Sequence, residues 1–393
     1  MLQVKKLTRN AMRVAAIIAE YNPFHNGHAY QIDKIKESLA PDFILSVMSG
    51  NFVERGEPAI IDKFFRAKTA LENGVDLVIE LAPRHALLSA EGFATSAVSL
   101  IKNTGVATHL CFSVEFGDIN LLFRAKALVD GVDGEIVRAA QKRGLSYPNA
   151  LFSAISDGED EARALIAEKN AILGIEYLRA IEKLEANLDP FLVQRMGVLH
   201  DAETPSGAFA SASYIRNGLL ENNNILNYIP NSSFPKIGLA QFSDFSDMIM
   251  YRLLNMSRDE LLRYRDVSEG LENIIFDTLN SARDVSTLLS SVKSKRYTMA
   301  RLKRIILRAL LFLEYSVDDY SPSYIRVLAV SAHGLSLLPL LLSSAHIPVI
   351  IRADDILKLS GRAIEDYKKN ELCDKIYALK TGSGAGIRNI RKD

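Results

Sequence analysis

The sequence predicts an α/β fold, in which an N-terminal doubly wound domain with a parallel sheet is followed by a mainly helical domain. Between residues 13 and 112, short apolar runs of strand length alternate with longer stretches of helical periodicity. Beyond about Leu220 the strand-like runs become rare and helical patterns dominate. Alternating strands and helices with compact links indicate a parallel sheet covered by helices, with a ligand crevice at the carboxyl ends of its strands.

The individual elements follow from the period of the apolar residues and from the breaks between them. Five strands are predicted in the first part of the chain. Three of them are predicted to be buried and parallel, namely Val14 to Ala19, Phe43 to Met48 and Leu77 to Leu81, and the other two are His109 to Phe112 and Phe191 to Met196. The helices between the first four strands are Ala29 to Ala40, Lys63 to Asn73 and Ala90 to Lys102. Residues 116–184 are predicted to be mostly helical, and a further helix is predicted to begin near Ser211.

Changes in composition divide the chain into segments. Its 393 residues provide material for two or three domains. The Asn-rich link from Glu221 to Ser233, which contains Pro230, is typical of a domain boundary. We predict a flexible extension at 1–11, the α/β domain at 12–220, the mainly helical domain at 221–380, and a flexible, basic tail at 381–393. Within the helical domain, Leu335 to Ile351 is interpreted as a helix followed by a buried strand at Pro348 to Ile351.

The composition excludes several classes of protein. Because 47 basic residues balance 47 acidic ones, a nucleic-acid partner would have to bind a local patch of charge. Two cysteines are too few for a disulfide framework or a cysteine metal site. The sequence has neither a signal peptide nor an apolar run long enough to span a membrane, so we expect a cytoplasmic protein without a membrane partner. No metal site is predicted, because the remaining histidines are scattered singly; they are His85, His109, His200, His333 and His346. No Gly-x-Ser-x-Gly motif occurs, so no nucleophilic serine of that type is predicted.

The run from Tyr21 to His28, Tyr-Asn-Pro-Phe-His-Asn-Gly-His, gives the strongest chemical signal. It connects the first predicted strand to the first helix, where helix N-terminal amides can bind a phosphate. Gly27 has no Cβ to hinder a close approach, and His25 and His28 are spaced to point into one pocket. Two imidazole donors directed at an α-phosphate would stabilise the charge that develops when the phosphate is attacked and pyrophosphate leaves. The run therefore predicts nucleotide binding, with Mg²⁺ held mainly by the nucleotide and water; the alternative is a turn whose histidines only cap a helix.

Three further groups of residues are candidates for binding anions or substrate. Ser211, Ser213 and Arg216 lie at the opening of a predicted helix, an arrangement suited to phosphates. The segment Ser49 to Pro58 follows the second strand and suits a substrate loop. Lys63 and Arg66 could reach an anion from the start of the next helix. The alternatives for these three groups are, in the same order, a capped helix, a plain surface loop and a solvated helix flank.

A basic segment lies in the second part of the chain. Between Val285 and Leu313 there are seven basic residues and no acidic one. Arg301, Arg304 and Arg308 follow helical spacing, so they predict a positive stripe suited to a phosphate backbone. The predicted nucleic-acid-binding residues are Lys293, Lys295, Arg296, Arg301, Arg304 and Arg308. The alternative is a solvated helix face paired with acids elsewhere in the fold.

The run from Ala19 to His28 resembles the signature of the bacterial tRNA(Met) cytidine acetate ligase family, within the His-x-Gly-His nucleotidyltransferase superfamily. Further motifs that resemble the family are Val47 to Phe52, Arg55 to Ala59, Asn170 to Tyr177, Arg195 to Gly197 with His200 and Asp201, Lys295 to Arg301, and Tyr324 to Leu328. The resemblance covers the chain from about Met12 to Leu379. It implies that the first domain is a Rossmann-like domain of the nucleotidyltransferase type.

The resemblance implies an enzyme that forms N4-acetylcytidine at the wobble position of elongator tRNA(Met) from acetate and ATP. Acetate would attack the α-phosphate to give acetyl-adenylate and pyrophosphate, and the cytidine amine would then take the acetyl group and release AMP. By this resemblance, His25 and His28 are catalytic, Ser211, Ser213 and Arg216 bind phosphate, and the basic segment binds tRNA. The implied ATP-binding residues are Ile18, Ala19, Glu20, Tyr21, Asn22, Pro23, Phe24, His25, Asn26, Gly27, His28, Ala29, Tyr30, Gln31, Ser113, Asn170 and Arg195.

One position departs from the family pattern. Where the family has a glycine after the fourth strand, this chain has Ser113. A side chain there would narrow the adenosine pocket, or would require a changed backbone angle if φ were positive. Two other functions remain open: a nucleotidyltransferase of coenzyme metabolism, and a catalytically weakened tRNA-binding homologue, which Ser113 suggests. The sequence makes no prediction of oligomeric state.

Overall fold

The computed structural model describes residues 12–143, 145, 147–155, 160–195, 204–230, 238–268, 270–317, 319–383 and 390–391. Some of the predicted features lie outside these residues. They are the N-terminal extension 1–11, the part of the family motif at 196–201, the part of the predicted link at 231–233, and most of the tail beyond 383.

All five strands predicted in the first part of the chain occur, with ends displaced by at most two residues. The described strands are β1 (Val14–Ala19), β2 (Phe43–Ser49), β3 (Phe52–Val53), β4 (Glu57–Pro58), β5 (Leu77–Leu81), β6 (His109–Val114), β7 (Asp189–Gln194), β8 (Ile325–Val330), β9 (Val349–Ile350) and β10 (Ile390–Arg391). The sheet has the order β10-β8-β5-β2-β1-β6-β7, β9 also pairs with β8, and β3 and β4 form a separate hairpin.

The helices confirm the predicted alternation. They are α1 (Asn26–Leu39), α2 (Lys63–Glu72), α3 (Pro83–Ala86), α4 (Ala90–Thr104), α5 (Ile119–Asp130), α6 (Gly134–Lys142), α7 (Tyr147–Ala154), α8 (Asp160–Ile166), α9 (Lys169–Lys183), α10 (Ala212–Leu220), α11 (Ser246–Leu254), α12 (Arg258–Leu261), α13 (Leu271–Leu279), α14 (Val285–Val292), α15 (Met299–Leu310), α16 (Leu338–Ser344) and α17 (Gly361–Thr381). Short 3₁₀ helices occupy Leu226–Tyr228, Phe242–Phe245, Gly334–Ser336 and Ala353–Lys358.

The order of the strands locates the ligand crevice. From β1 the chain proceeds to β2 and β5 on one side, whereas β6 and β7 lie on the other side, and all five strands are parallel. The order therefore reverses between β1 and β6. In doubly wound sheets the crevice beyond the carboxyl ends of the strands at such a switch point is where ligands bind. The predicted α/β fold is confirmed, and β1 leads directly into this crevice.

Strand β8 was not predicted. All six of its residues are buried, and it runs antiparallel to β5, with Leu77 opposite Val330. An apolar run of this length does not distinguish a buried strand from a helix until its partner is known. The part of the chain beyond residue 221 therefore extends the first sheet in addition to forming helices. Of the predicted flexible tail, Thr381 ends α17 and Ile390–Arg391 pairs with β8, because the edge of β8 offers backbone groups to a further strand.

Three large apolar clusters and two smaller ones form the core of the described residues. One fills the face of the sheet covered by α4, α5 and α9, and another fills the opposite face, beneath α1 and α2. A third joins α11, α13, α14 and α15, and it includes Phe52 of β3 and Leu87. The helical part thus packs directly against the β3–β4 hairpin.

Lys63 and Arg66 are buried, which corrects their interpretation as anion ligands or as a solvated helix flank. The ammonium nitrogen of Lys63 lies 2.5 Å from Oε1 of Glu80 and 2.6 Å from Oδ2 of Asp374, so α17 is joined to α2 and β5 by an ion pair. The guanidinium of Arg66 donates to carbonyl oxygens at the ends of β1 and β2, including those of Glu20 and Gly50. Both cations hold the crevice together because they donate to carboxylate and carbonyl oxygens within the fold.

Candidate active site

A cavity of about 220 Å³ lies at the carboxyl ends of β1 and β6, beside the N-terminus of α1. It brings together predicted residues that are far apart in the sequence. Those that line it are Ile18, Ala19, Glu20, Tyr21, Asn22, His25, His28, Gln31, Ser113, Asn170, Arg195, Ser211, Ser213 and Arg216. The three separately predicted groups, namely the histidine turn, the Asn170 and Arg195 positions and the α10 residues, therefore belong to one site.

The two histidines cap α1. Nδ1 of His25, the N-cap residue, accepts the backbone N–H of Gly27 at 3.1 Å, and Nδ1 of His28 accepts the backbone N–H of His25 at 3.2 Å. These bonds satisfy amides that the first turn of a helix leaves without partners. A Cβ on Gly27 would lie 2.9 Å from Cε1 of His25, so glycine gives the ring the space it needs. The histidines thus act as caps and also line the cavity.

The capping bonds determine which nitrogen of each ring carries a proton. Because Nδ1 accepts in both rings, the proton of a neutral imidazole is placed on Nε2. The rings stack with their centroids 3.7 Å apart. Burial, followed by the nearby charges of His25 and Arg195, holds the pKa of His28 well below its usual value. At neutral pH His28 is therefore an uncharged Nε2–H donor.

Cationic and hydroxyl groups surround this pair. Arg195 directly follows β7, and its backbone N–H donates to the carbonyl of Val114 at 2.9 Å. Ser211 caps α10, and Arg216 on that helix donates to the carbonyl of Asn22 at 2.9 Å and to Oγ of Ser213 at 3.3 Å. Two helix N-termini and two of the three arginines that line the cavity, Arg195 and Arg216, thus lie together, which suits a polyphosphate.

Six residues of the predicted run do not line this cavity: Pro23, Phe24, Asn26, Gly27, Ala29 and Tyr30. Phe24 is buried and its ring packs against that of Tyr21. Asn26 donates to the carbonyls of Ala208 and Asn227 at 2.8 and 2.9 Å, which fastens α1 to the segments that flank α10. Gly27 and Tyr30 line a smaller adjoining cavity that also contains His28 and Arg195. These residues shape the turn and position its neighbours.

The opposite wall is largely apolar. Phe93, Phe112, Leu173 and Tyr177 line it, next to the polar side chain of Asn170, which donates to a carboxylate oxygen of Glu115. Apolar and aromatic walls with a few polar groups are typical of small-molecule sites, and they suit a heteroaromatic ring. Phe93 carries no signal in the sequence that marks it as a site residue, because within an apolar helix pattern it is indistinguishable from a core residue.

The β3–β4 hairpin supplies the third wall, through Val53, Glu54, Arg55 and Glu57. Gly56 at its tip has a φ of +73°, and a Cβ there would lie 2.5 Å from the backbone nitrogen of Arg304 on α15. Only glycine permits this contact between the hairpin and the helix. The segment predicted as a substrate loop therefore borders the cavity, although the sequence did not indicate which of its acids would do so.

Comparison with known proteins agrees with this geometry. The family model described as HIGH Nucleotidyl Transferase matches residues 12–386. A tRNA(Met) cytidine acetate ligase of Thermosipho africanus is 33% identical over 402 residues, which cover 94% of this chain and 95% of the relative. One from Thermoanaerobacter sp. (strain X514) is 36% identical over 396 residues, covering 96% of this chain and 98% of the relative. This chain belongs to the tRNA(Met) cytidine acetate ligase family.

A solved structure supports the assignment to the tRNA(Met) cytidine acetate ligase family. Thermotoga maritima TmcAL in its apo form has a TM-score of 0.89 to this chain at 29% identity, covering 97% of this chain and 100% of that protein. The same protein bound to α-thio ATP has a TM-score of 0.85. The resemblance noted from the sequence motifs and the α/β nucleotidyltransferase-type fold are both confirmed.

Ser113, the departure from the family pattern, lies in an extended strand. It pairs with Val193 in the β6–β7 ladder and is absent from the residues with positive φ, so no backbone strain arises from its side chain.

Because Ser113 lines the cavity, Ser113→Gly removes only a small side chain from the wall. We expect the affinity for a non-hydrolysable ATP analogue, measured by calorimetry, to change by less than about 10-fold, and stability to fall by about 0.5–1 kcal/mol. A gain in affinity of 100-fold or more would contradict this expectation.

The predicted basic stripe needs correction. Arg308 is 1% exposed and pairs with Asp319 at 3.1 Å, and Arg304 is 9% exposed and pairs with Glu54 at 3.1 Å. The guanidinium of Arg301 donates to the carbonyl of Asp266 and to Oγ of Ser268. Tyr297, between Arg296 and Arg301 in the same segment, is buried. The face of α15 that carries Arg304 and Arg308 is packed against acids of the fold and does not face solvent, whereas Lys293 and Lys295 are exposed.

Two further observations concern metals and membranes. Within the described residues, no group of three or more His, Cys, Asp or Glu side chains is arranged to hold a metal ion. None of the helices in the described ranges is both long and apolar enough to cross a membrane.

Proposed function

We propose that this chain is an ATP-dependent ligase that joins acetate to the wobble cytidine of tRNA(Met) through an acetyl-adenylate. The observation that carries the proposal is the stacked pair His25 and His28, whose Nε2–H donors meet Arg195 and Arg216 in one cavity. Membership of the tRNA(Met) cytidine acetate ligase family supports the choice of substrates. The neighbour bound to α-thio ATP supports ATP as the nucleotide.

The first half-reaction uses the phosphate-binding wall. An acetate oxygen attacks the α-phosphate, the acetate–phosphorus bond forms, and pyrophosphate leaves. The Nε2–H donors of His25 and His28 stabilise the charge on the α-phosphate oxygens, and Arg195 and Arg216 bind the leaving pyrophosphate. A neutral His28 suits this role. Because its pKa lies well below the usual value, the ring stays uncharged near neutral pH and keeps its Nε2–H as a hydrogen-bond donor.

A magnesium ion is expected to enter with the nucleotide. Two acids of the cavity, Glu54 and Glu57, are engaged by Arg304 and Lys303, so the cavity offers few free carboxylates to a cation. Phosphate oxygens and water would therefore supply most of its ligands, and the ion would neutralise charge on the phosphates.

The tRNA is proposed to bind around the N-terminus of α15, through Lys293, Lys295, Arg296 and Arg301. This surface adjoins the cavity because Gly56 of the β3–β4 hairpin packs on Lys303 and Arg304 of the same helix. Arg304 and Arg308 are left out, since their charges are neutralised within the fold. A cytoplasmic location follows from the proposed tRNA substrate.

The proposal is tested by two assays on the purified chain. Acetate-dependent exchange of pyrophosphate into ATP reports the first half-reaction, and transfer of labelled acetate to tRNA(Met) reports the whole reaction. We expect both, with transfer dependent on ATP. Exchange stimulated by a small phosphorylated acceptor and not by acetate would instead favour an enzyme of coenzyme metabolism. Binding of tRNA without binding of ATP would favour the weakened homologue.

The double charge reversal Lys293→Glu with Lys295→Glu is expected to weaken tRNA binding while acetate-dependent exchange is retained. Each lysine that contacts a phosphate contributes about one unit to the slope of log affinity against log salt, so the slope should fall by about two. Filter binding at several salt concentrations measures this. Lys358→Glu, at an exposed lysine in the 3₁₀ helix Ala353–Lys358, is the matched control. An unchanged slope in the double variant would place the tRNA elsewhere.

A further inference from the structure

The cavity contains one acidic side chain, that of Glu20, to which the proposed binding of phosphates assigns no role. Glu20 directly follows β1 and lines the cavity beside the β3–β4 hairpin. Its Oε1 accepts the backbone N–H of Glu54 at 2.8 Å, and its carbonyl oxygen accepts from the guanidinium of Arg66. Backbone and side chain are therefore both held in place.

Glu20 differs from the other two acids of the cavity in its partners. Oε1 of Glu54 lies 3.1 Å from the guanidinium of Arg304, and Oε1 of Glu57 lies 2.7 Å from the ammonium of Lys303. Within the described part of the chain Glu20 makes no ion pair, and its recorded side-chain hydrogen bond is to a backbone amide. It is thus a carboxylate that can interact with a substrate without first losing a cation.

The surroundings of Glu20 favour its protonated form. Burial raises the pKa of Glu20, and the negative charge of Glu54 raises it further, against smaller opposing effects of the Glu54 amide, Arg55 and Arg216. The charged and titratable groups that face it are Glu54, Arg55, Arg66, Arg216 and Tyr177. A carboxylate with a raised pKa is a stronger proton acceptor than an ordinary one.

The histidines do not offer an acceptor for a proton. In both rings Nδ1 is occupied by a backbone N–H, and the neutral tautomer carries its proton on Nε2. Acylation of an amine nonetheless requires an acceptor, because the attacking nitrogen must lose a proton as it becomes an amide.

We propose that Glu20 is the general base of acetyl transfer, accepting the proton that the cytidine N4 amine loses. This inference rests on the proposed function. A bond forms between N4 and the acetyl carbon, the bond between that carbon and the phosphate oxygen breaks, and AMP leaves with the electron pair. The N4 proton passes to the Glu20 carboxylate. Attack of acetate on the α-phosphate moves no proton, so Glu20 acts in the second half-reaction alone.

The test separates the two half-reactions with Glu20→Gln. Because Glu20 lines the nucleotide cavity, acetate-dependent pyrophosphate exchange is measured beside transfer. Exchange is expected to fall much less than transfer, and its persistence shows that the variant is folded. Transfer from chemically prepared acetyl-adenylate to tRNA(Met), measured by rapid quench without ATP, should slow by about 10²- to 10⁴-fold. For the parent, the transfer rate should rise with pH through the raised pKa of Glu20, because the base must be deprotonated, and Glu20→Gln should lose this rise.

Glu54→Gln is the matched variant. It removes the negative charge beside Glu20 but keeps the backbone N–H that Glu20 accepts. Transfer should persist, and its rise with pH should move to lower pH, since the charge of Glu54 raises the pKa of Glu20. If Glu20→Gln transferred acetate to tRNA at the parental rate, the inference would be overturned. Loss of exchange with intact transfer would also overturn it, and would assign Glu20 to acetate binding. Failure of the parent to exchange with acetate would overturn the proposed function itself, together with this inference.

Discussion

Replacing either His25 or His28 with asparagine is expected to slow acetate-dependent pyrophosphate exchange by about 10²- to 10³-fold. This is the usual effect of removing one donor that stabilises developing charge in a transition state. Asparagine is chosen because its Oδ1 lies where Nδ1 of histidine lies, so the capping bonds to Gly27 and His25 are retained while the Nε2–H donor is lost. The exchange rate at saturating ATP and acetate gives the effect directly.

Glutamine provides the complementary variant at both positions. Its amide nitrogen can occupy the position of Nε2 and donate, whereas it loses the Nδ1 acceptor. We expect the glutamine variants to exchange faster than the asparagine ones, although the cap is weaker. His346→Ala, at an exposed histidine after α16, should leave exchange unchanged. If asparagine at both positions left the parental rate intact while alanine did not, the histidines would serve only as helix caps.

Asp319→Asn is expected to lower the free energy of unfolding by about 3–5 kcal/mol. Asp319 is fully buried and accepts from Arg84 at 2.6 Å and from Arg265 and Arg308 at 3.1 Å each. Burial, opposed by the charge of Asp319, lowers the pKa of Arg308 to about 10, so this arginine remains charged at neutral pH. Removing the shared carboxylate leaves buried positive charge without a counter-charge, which is the costly way to break a buried ion pair. Denaturant unfolding measures the loss.

The matched control is Asp277→Asn. Asp277 pairs with Arg258 at 2.6 Å on the surface, where its side chain is 69% exposed, and exposed pairs contribute about 0–1 kcal/mol. The two substitutions are chemically identical, so a similar small loss at Asp319 would contradict the structural role of the cluster.

Because Asp319 neutralises Arg308, Arg308→Gln should also leave the salt dependence of tRNA binding unchanged. A flatter salt dependence would restore Arg308 as a phosphate contact.

The buried arginines of α15 and the strand β8 differ from the sequence-based predictions for a common physical reason. Arg301, Arg304 and Arg308 lie on one helix, α15, as their spacing predicts. Arg304 and Arg308 are, however, neutralised by Glu54 and Asp319, and Glu54 lies 250 residues from Arg304 in the chain. Strand β8 was missed for the same reason, since its identity depends on pairing with β5. Helical spacing predicts which residues share a face, but only the packing of distant segments decides whether that face meets solvent or a buried acid.

The sequence by itself determined the family, the alternation of strands and helices, and the residues of the histidine turn, because these depend on local periodicity and on residue spacing within one short segment. Only the tertiary structure decided that Nδ1 of each histidine accepts a backbone amide, and that Ser113 sits in an unstrained strand. It also decided that, among the residues the structure describes, Glu20 lines the cavity without an ion pair, whereas Glu54 and Glu57 each have one. Protonation and charge at the site are set by burial and by partners that are distant in the sequence, and these exist only once the chain has folded.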